Sequence, residues 1–158
     1  TTLSFSRVCR GLRPPLLDDL GLEPAVLHLI DDFRQRLDLE FEVDVAVDED
    51  ADPIPRSVGL CAYRILQESL NNISRHAKPT RVTIKMVVRD DVLILRVHDD
   101  GRGFDADQLG AMRGWGLQGM QERASLVGGS IEIKSSRGKG TRVLFGAPLK
   151  NDNREKRA

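Results

Sequence analysis

A long segment of helical periodicity, followed at once by two strand-like segments, restricts the possible folds of this sequence most strongly. Between residues 55 and 77, small and apolar side chains recur every three or four positions. At about 100° per residue they share one arc of a helix. The arc comprises Val58, Ala62, Ile65, Leu66, Ser69, Leu70, Ile73 and Ala77. Because such an arc must be shielded from water, we expect this helix to pack on a sheet.

Apolar segments bounded by turn residues supply the strands of that sheet. The predicted strands are residues 39–47, 81–88, 92–98, 131–135 and 141–149, and further helices are predicted at 24–38 and 117–127. The short polar turns between the second and third strands, and between the last two, predict hairpins. The predicted fold class is therefore α+β, an α/β sandwich in which about three helices cover one face of an open, mixed, five-stranded sheet.

Composition indicates one globular domain without a charge excess. The chain has 158 residues, with 24 Lys and Arg against 24 Asp and Glu, which predicts no nucleic acid partner and no direct membrane contact. Its apolar runs fall short of the roughly 18 residues of a membrane span. Its two cysteines lack the spacing of a metal site or disulfide scaffold. We expect a cytoplasmic domain, in a parent protein whose membrane attachment is left open.

Residues 97–120 carry two glycine clusters separated by a polar loop. Asp99 ends an apolar strand, where a carboxylate can accept a hydrogen bond from the exocyclic amine of adenine and reject the carbonyl of guanine. Gly101 and Gly103 permit a tight turn and the close approach of backbone to a flat ring. Thr141 is expected to place a hydroxyl near the same base.

The second glycine cluster predicts a phosphate site. Gly114 and Gly116 directly precede the predicted helix at 117–127. The free N–H groups and positive dipole end of that helix suit phosphate oxygens. A purine seat and a phosphate seat together predict an adenine nucleotide.

Three other motifs in this region fail in their context. Residues 114–119 match the dinucleotide fingerprint GxGxxG, but no strand precedes them and no βαβ unit surrounds them. Residues 138–141 resemble the end of a P-loop but lack its upstream glycine and following helix, which indicates a hairpin turn. The aspartates between 99 and 107 lack the spacing and closing glutamate of a calcium loop.

The ordered motifs resemble those of the GHKL ATPase superfamily, which includes sensor histidine kinases, gyrase, Hsp90 and MutL. The residues concerned are Glu68 with Asn72, Asp99 with Gly101 and Gly103, Gly114 with Gly116 and Leu117, and Gly140 with Thr141. Within the superfamily, the run QESLNNISRHA, the short lid and GWGLQGMQERASLVGGSIEI are similar to the catalytic domain of nitrate-sensor-type histidine kinases. The resemblance extends over nearly all of residues 12–149 and implies a Bergerat-type fold that binds ATP and Mg²⁺.

The resemblance also implies roles for individual residues. Asn72 would hold the Mg²⁺ that bridges the ATP phosphates, with Glu68 beside it as a second metal-shell or proton-accepting group. Arg75, together with His76 or Lys78, would face the phosphates. Asp99 would bind adenine, and the glycines at 101, 103, 114 and 116, with Leu117 and Thr141, would complete the nucleotide site around a lid at 104–113.

No histidine of the chain matches the phosphoacceptor motif of such kinases, because His98-Asp99 lies inside the adenine motif and His28 precedes Leu29. The resemblance therefore implies a separate dimerisation domain that carries the acceptor, and a response regulator downstream. We predict that residues 1–13 are the remnant of the second dimerisation helix, 14–23 a linker, 24–149 the catalytic domain and 150–158 a disordered tail. We expect a monomeric fragment of a homodimeric parent.

Two alternatives remain open at the level of sequence. One is an ATP-hydrolysing conformational module like gyrase or Hsp90, in which Glu68 would activate water. The short lid argues against it. The other is a non-catalytic nucleotide-binding interaction domain, although every motif residue is present.

Overall fold

The computed structural model of the chain describes residues 15–105 and 116–150. Its elements, in chain order, are α1 (Pro15–Leu20), α2 (Leu22–Arg36), β1 (Glu40–Ala46), α3 (Arg56–Asn72), a π-helical turn (Ile73–Ala77), β2 (Arg81–Arg89), β3 (Val92–Asp99), α4 (Leu117–Leu126), β4 (Ser130–Ser136) and β5 (Gly140–Pro148). No helix in these ranges is long and apolar enough to cross a membrane.

The five strands form one open sheet in the order β1-β2-β3-β5-β4. Strand β1 runs parallel to β2, and every other neighbouring pair is antiparallel. The predicted open, mixed sheet is thus confirmed. The β2–β3 hairpin turns at Asp90 and Asp91, whose φ angles of 53° and 59° suit the two-residue turn that joins twisted antiparallel strands.

Helices cover one face of this sheet. All eight residues of the predicted helical arc between 58 and 77 are buried, and α3 packs across β3 and β5. Alternate residues of the strands meet the helices, as Val82, Ile84 and Met86 do in β2. The opposite face carries a mixture of charged, polar and apolar side chains. The helices and the sheet thus enclose a single core.

The segment predicted as a linker differs from the expectation. Residues 15–20 form helix α1, and the next helix begins at Leu22 instead of residue 24. Pro15 suits a first helical position, because the N–H that it lacks has no partner there. The Leu22 N–H donates to Glu49 Oε1 at 3.3 Å, a contact from a distant loop that stabilises the helix start. The predicted helix remnant at 1–13 lies outside the described residues.

The end of the long helix also differs from the single helix predicted for 55–77. Regular α geometry stops at Asn72, and Ile73–Ala77 form the π-helical turn. Lys78 then adopts a left-handed conformation with φ 45°, ahead of Pro79, which cannot continue the hydrogen-bond ladder. Single π turns inside helices are frequent at functional sites. This one places Asn72 at the junction of two helix geometries.

Candidate nucleotide site

Asp99 is the last residue of β3, which is one residue longer than the strand predicted for 92–98. The residue is only 3% exposed. Its Oδ1 atom accepts a hydrogen bond from the Gly101 N–H at 2.9 Å. Burial raises the pKa of Asp99, whereas the backbone N–H groups of Gly101 and Thr141 act in the opposite direction. A sheltered carboxylate held by its own backbone is thus available at the end of the central strand.

Four residues singled out from the sequence line one cavity: Asn72, Asp99, Leu117 and Thr141. They come from α3, β3, α4 and β5, which the fold brings together at one end of the sheet. The remaining walls are Ser69, Ile73, Ala77, Val97, Phe104 and Val143. Mostly apolar walls with a few convergent polar groups are typical of a small-molecule site. We call this space the nucleotide cavity.

Two polar residues near this cavity were missed in the sequence. Ser135 Oγ lies 2.8 Å from Thr141 Oγ1 and donates to the Gly140 carbonyl oxygen at 3.0 Å. It also accepts the Phe104 N–H at 2.8 Å. The sequence feature that could have indicated Ser135 is its place at the third inward position of β4, where Ile131 and Ile133 predict another apolar residue. Ser135 therefore links the glycine loop to the strand that carries Thr141.

Asp100 is the second missed residue, and its role is structural. Its Oδ1 accepts the backbone N–H groups of Thr80 at 2.8 Å and Arg81 at 3.0 Å, and its Oδ2 accepts the Thr80 hydroxyl at 2.6 Å. These bonds hold the pKa of Asp100 below its ordinary value. The carboxylate thus secures the start of β2 beside the end of β3.

The backbone around Gly101 and Gly103 is packed against protein. A Cβ atom on Gly101 would collide with the Ala77 carbonyl oxygen, and one on Gly103 with the Ser136 carbonyl oxygen. The Arg102 N–H also donates to the Ala77 oxygen at 2.7 Å. Gly103 has φ +62°, which favours glycine. Both glycines are therefore required by the loop itself, and their contact with a flat ring stays a prediction.

The predicted phosphate end combines the end of α3 with the start of α4. Asn72 and Glu68 lie one turn apart on α3 and are half-buried, while Arg75 is exposed and His76 half-buried in the π-helical turn. Gly116 precedes α4 with φ +67°. Its α carbon lies against the Glu68 side chain, since an added Cβ would stand 2.5 Å from Glu68 Oε1.

The structure places the two proposed metal-binding residues differently. Asn72 lines the nucleotide cavity, whereas Glu68 lines a neighbouring cavity with Gly116. Within residues 15–105 and 116–150, no group of three or more His, Cys, Asp and Glu side chains can hold a metal ion. An amide oxygen and a carboxylate nevertheless fit Mg²⁺, which commonly takes one or two protein oxygens and completes its shell with phosphates and water. Gly114 and most of the predicted lid lie outside the described residues.

One protein family model matches the part of the chain that contains this cavity. A profile described as "Histidine kinase-, DNA gyrase B-, and HSP90-like ATPase" matches residues 59–151, more than half of the chain. The chain belongs to this family. The match implies ATP binding and confirms the predicted superfamily.

Relatives of this ATPase domain are sensor proteins. The chain is 38% identical over 138 residues to the sensor histidine kinase LiaS of Bacillus subtilis (strain 168), covering 87% of this chain and 37% of that protein. It is 33% identical over 143 residues to the sensor protein VraS of Staphylococcus aureus (strain COL), covering 90% of this chain and 40% of that protein. The chain thus spans less than half the length of these relatives. The narrower nitrate-sensor-type assignment stays a prediction.

Solved structures share the fold. The blue-light activated histidine kinase of Erythrobacter litoralis EL346 superposes with a TM-score of 0.68 at 20% identity, over 81% of this chain and 42% of that chain. The histidine kinase AdeS of Acinetobacter baumannii gives 0.65 at 19% identity, over 86% of this chain and 73% of that chain. The predicted α/β sandwich is therefore the architecture of this ATPase domain.

Proposed function

We propose that this domain is the catalytic domain of a two-component sensor histidine kinase. In this role it transfers the γ-phosphoryl group of Mg·ATP to a histidine on a dimerisation domain outside this chain. One observation carries the proposal: Asp99 and Asn72, predicted to bind opposite ends of the nucleotide, line the same cavity. The similarity to sensor kinases supports the acceptor chemistry.

At the adenine end, Asp99 is the residue that discriminates between bases. The Gly101 N–H donates to Oδ1 and orients the carboxylate, whose Oδ2 is proposed to accept the exocyclic amine of adenine. Guanine presents a carbonyl oxygen at that position, so two acceptors would face each other in a sheltered site. The domain is therefore expected to prefer ATP to GTP.

At the phosphate end, α3 and α4 supply groups of complementary charge. The first N–H groups of α4, which begins after Gly116, and the side chains of Arg75 and His76 are proposed to face the phosphates. The Asn72 carboxamide oxygen is proposed to hold Mg²⁺, which neutralises phosphate charge when bound. Positioning and charge neutralisation supply most of the rate in such reactions.

Transfer breaks the bond between the γ-phosphorus and the oxygen of ADP and forms a bond to an imidazole nitrogen. Glu68 is proposed as the acceptor of the proton that the imidazole loses, or as a second-shell group of the metal. The downstream partner is proposed to be a response regulator. The parent is proposed to be a homodimer, with this domain on the cytoplasmic side.

Phosphoryl transfer in trans tests the proposal. The chain is mixed with a dimerisation domain that carries the acceptor histidine, together with labelled Mg·ATP. We expect label on that histidine, because the domain supplies ATP and the acceptor comes from outside. Rapid release of free phosphate without labelled histidine would instead indicate an ATP-hydrolysing module. If neither labelled histidine nor free phosphate forms, the domain is non-catalytic.

Replacing Asp99 with Asn is expected to weaken Mg·ATP binding by about 1 to 3 kcal/mol, because a charge-assisted hydrogen bond becomes a neutral one. The affinity for Mg·GTP is expected to change less, since an amide group can donate to the guanine carbonyl. Titration calorimetry with both nucleotides measures the ratio. An unchanged preference for ATP would make Asp99 a structural residue.

The pH dependence of ATP affinity gives a second test of Asp99. The raised pKa of Asp99 means that the folded chain protonates this carboxyl at a higher pH than an ordinary aspartate. ATP affinity should be full above that pKa and fall as the pH is lowered through it. Asp99→Asn should lack this part of the pH profile, whereas substitution of the exposed Asp90 should retain it.

A further inference from the structure

A second cavity lies between α3 and α4, directly beside the nucleotide cavity. Its volume is about 150 Å³. Helix α3 contributes Arg64, Gln67 and Glu68 to its lining, and α4 contributes Met120 and Arg123. We call it the arginine cavity.

The two cavities share a wall. Ser69 lines the nucleotide cavity and Met120 lines the arginine cavity, and Ser69 Oγ contacts Met120 Sδ at 3.9 Å. Asn72 faces one side of this wall and Asn71 the other. A group bound in the arginine cavity would therefore lie next to the phosphate end of the nucleotide.

The arginine cavity has a positive lining. Arg64 is only 8% exposed, and its Nη1 donates to Gln67 Oε1 at 2.8 Å. Burial, and then the nearby charge of Arg123, lower the pKa of Arg64. With Glu68 as the carboxylate of the lining, two positive charges face one negative charge. Two guanidinium groups that line one cavity repel each other, so an anion between them is stabilised.

Arg123 is free to meet such an anion. It is exposed at the mouth of the cavity, and the ion pairs formed by residues 15–105 and 116–150 do not include it. The guanidinium fork matches the oxygens of a phosphate or a carboxylate in bidentate geometry.

We propose that Arg64 and Arg123 form an oxyanion subsite contiguous with the nucleotide cavity. The subsite takes either the terminal phosphate of the nucleotide or a carboxylate that the phosphoacceptor domain presents during transfer. The choice of these two sources rests on the proposed function. Anion binding itself follows only from the charges that line the arginine cavity.

Arg123→Ala tests the subsite, with Arg89→Ala as the matched control. Both arginines are exposed, and Arg89 is the last residue of β2, at the end of the sheet away from Asp99. The first probe is inorganic phosphate, titrated by calorimetry into the chain. We expect Arg123→Ala to weaken phosphate binding about tenfold, as for loss of a charge-assisted bond, and Arg89→Ala to leave it unchanged. Equal phosphate affinities for the unsubstituted chain and Arg123→Ala would overturn the subsite.

Nucleotide binding and transfer then distinguish the two sources. If the terminal phosphate occupies the subsite, Arg123→Ala weakens Mg·ATP about tenfold and leaves Mg·ADP nearly unchanged. If an acceptor carboxylate occupies it, both nucleotides bind normally and transfer at saturating ATP slows. No change in either measurement would overturn both sources. Failure of the proposed function differs from all of these outcomes, because the unsubstituted chain itself would then fail to label a histidine.

Discussion

Replacing Asn72 with alanine is expected to slow phosphoryl transfer by about 100-fold or more, because the Mg²⁺ proposed to neutralise the phosphates would lose a protein ligand. Asn72 is the last residue of α3, and the π-helical turn begins at the next residue. Its side chain lines the nucleotide cavity together with Asp99. The fold should survive, because the residue is half-buried and alanine is an excellent helix former.

Measuring ATP affinity with and without Mg²⁺ separates a metal role from a packing role. Asn72→Ala should weaken binding of Mg·ATP and leave the weaker binding of metal-free ATP nearly unchanged. Ser74→Ala is the control, since this exposed serine lies two residues after Asn72 and lines neither cavity. Equal losses with and without metal would mean that Asn72 shapes the cavity and does not hold Mg²⁺.

The sequence predicts the layers of this fold because the period of its apolar residues is clear. Apolar residues recur every three or four positions in α3 and at every second position in β2, so their burial follows directly from the spacing. The same clarity extends to Asp99, where a carboxylate at the end of an apolar strand stands out. Elements with a clear apolar period, and a carboxylate that follows such an element, are thus accessible to sequence reasoning.

Interactions between distant segments were not accessible in this way. The sequence predicts a linker where helix α1 lies, because two successive prolines should stop the preceding helix. The contact that stabilises the following helix comes from Glu49, which is distant in the sequence. Asp100 received no role, since its partners Thr80 and Arg81 lie about twenty positions earlier. Local patterns carry no record of such tertiary hydrogen bonds.

The separation of Glu68 from Asn72 is a second limit of sequence reasoning. Both residues lie on one edge of the predicted helix, one turn apart, and the resemblance to GHKL ATPases implies a metal role for both. In the structure, the start of α4 lies against Glu68, and the Ser69–Met120 contact divides the two cavities. Helical spacing gives the face of a side chain, whereas the position of the packing helix decides which cavity it lines.

Gly101→Ala is expected to destabilise the folded domain by about 3 kcal/mol, the upper range for overpacking a closed site. A Cβ atom at this position would collide with the backbone oxygen of Ala77, which cannot rotate away as a side chain would. The same oxygen accepts the Arg102 N–H at 2.7 Å, so relief of the collision would also lengthen that bond. Urea unfolding of the two proteins measures the difference.

Gly119→Ala provides a control of opposite sign. Gly119 lies within α4, and an added Cβ atom would meet nothing within 4 Å. Because glycine costs about 1 kcal/mol relative to alanine inside a helix, this substitution should stabilise the domain slightly.

Gly101→Ala should also weaken Mg·ATP binding at temperatures where the variant is still folded, because Asp99 Oδ1 is oriented by the Gly101 N–H. Normal stability of Gly101→Ala would show that the loop can move away from the end of the π-helical turn without cost.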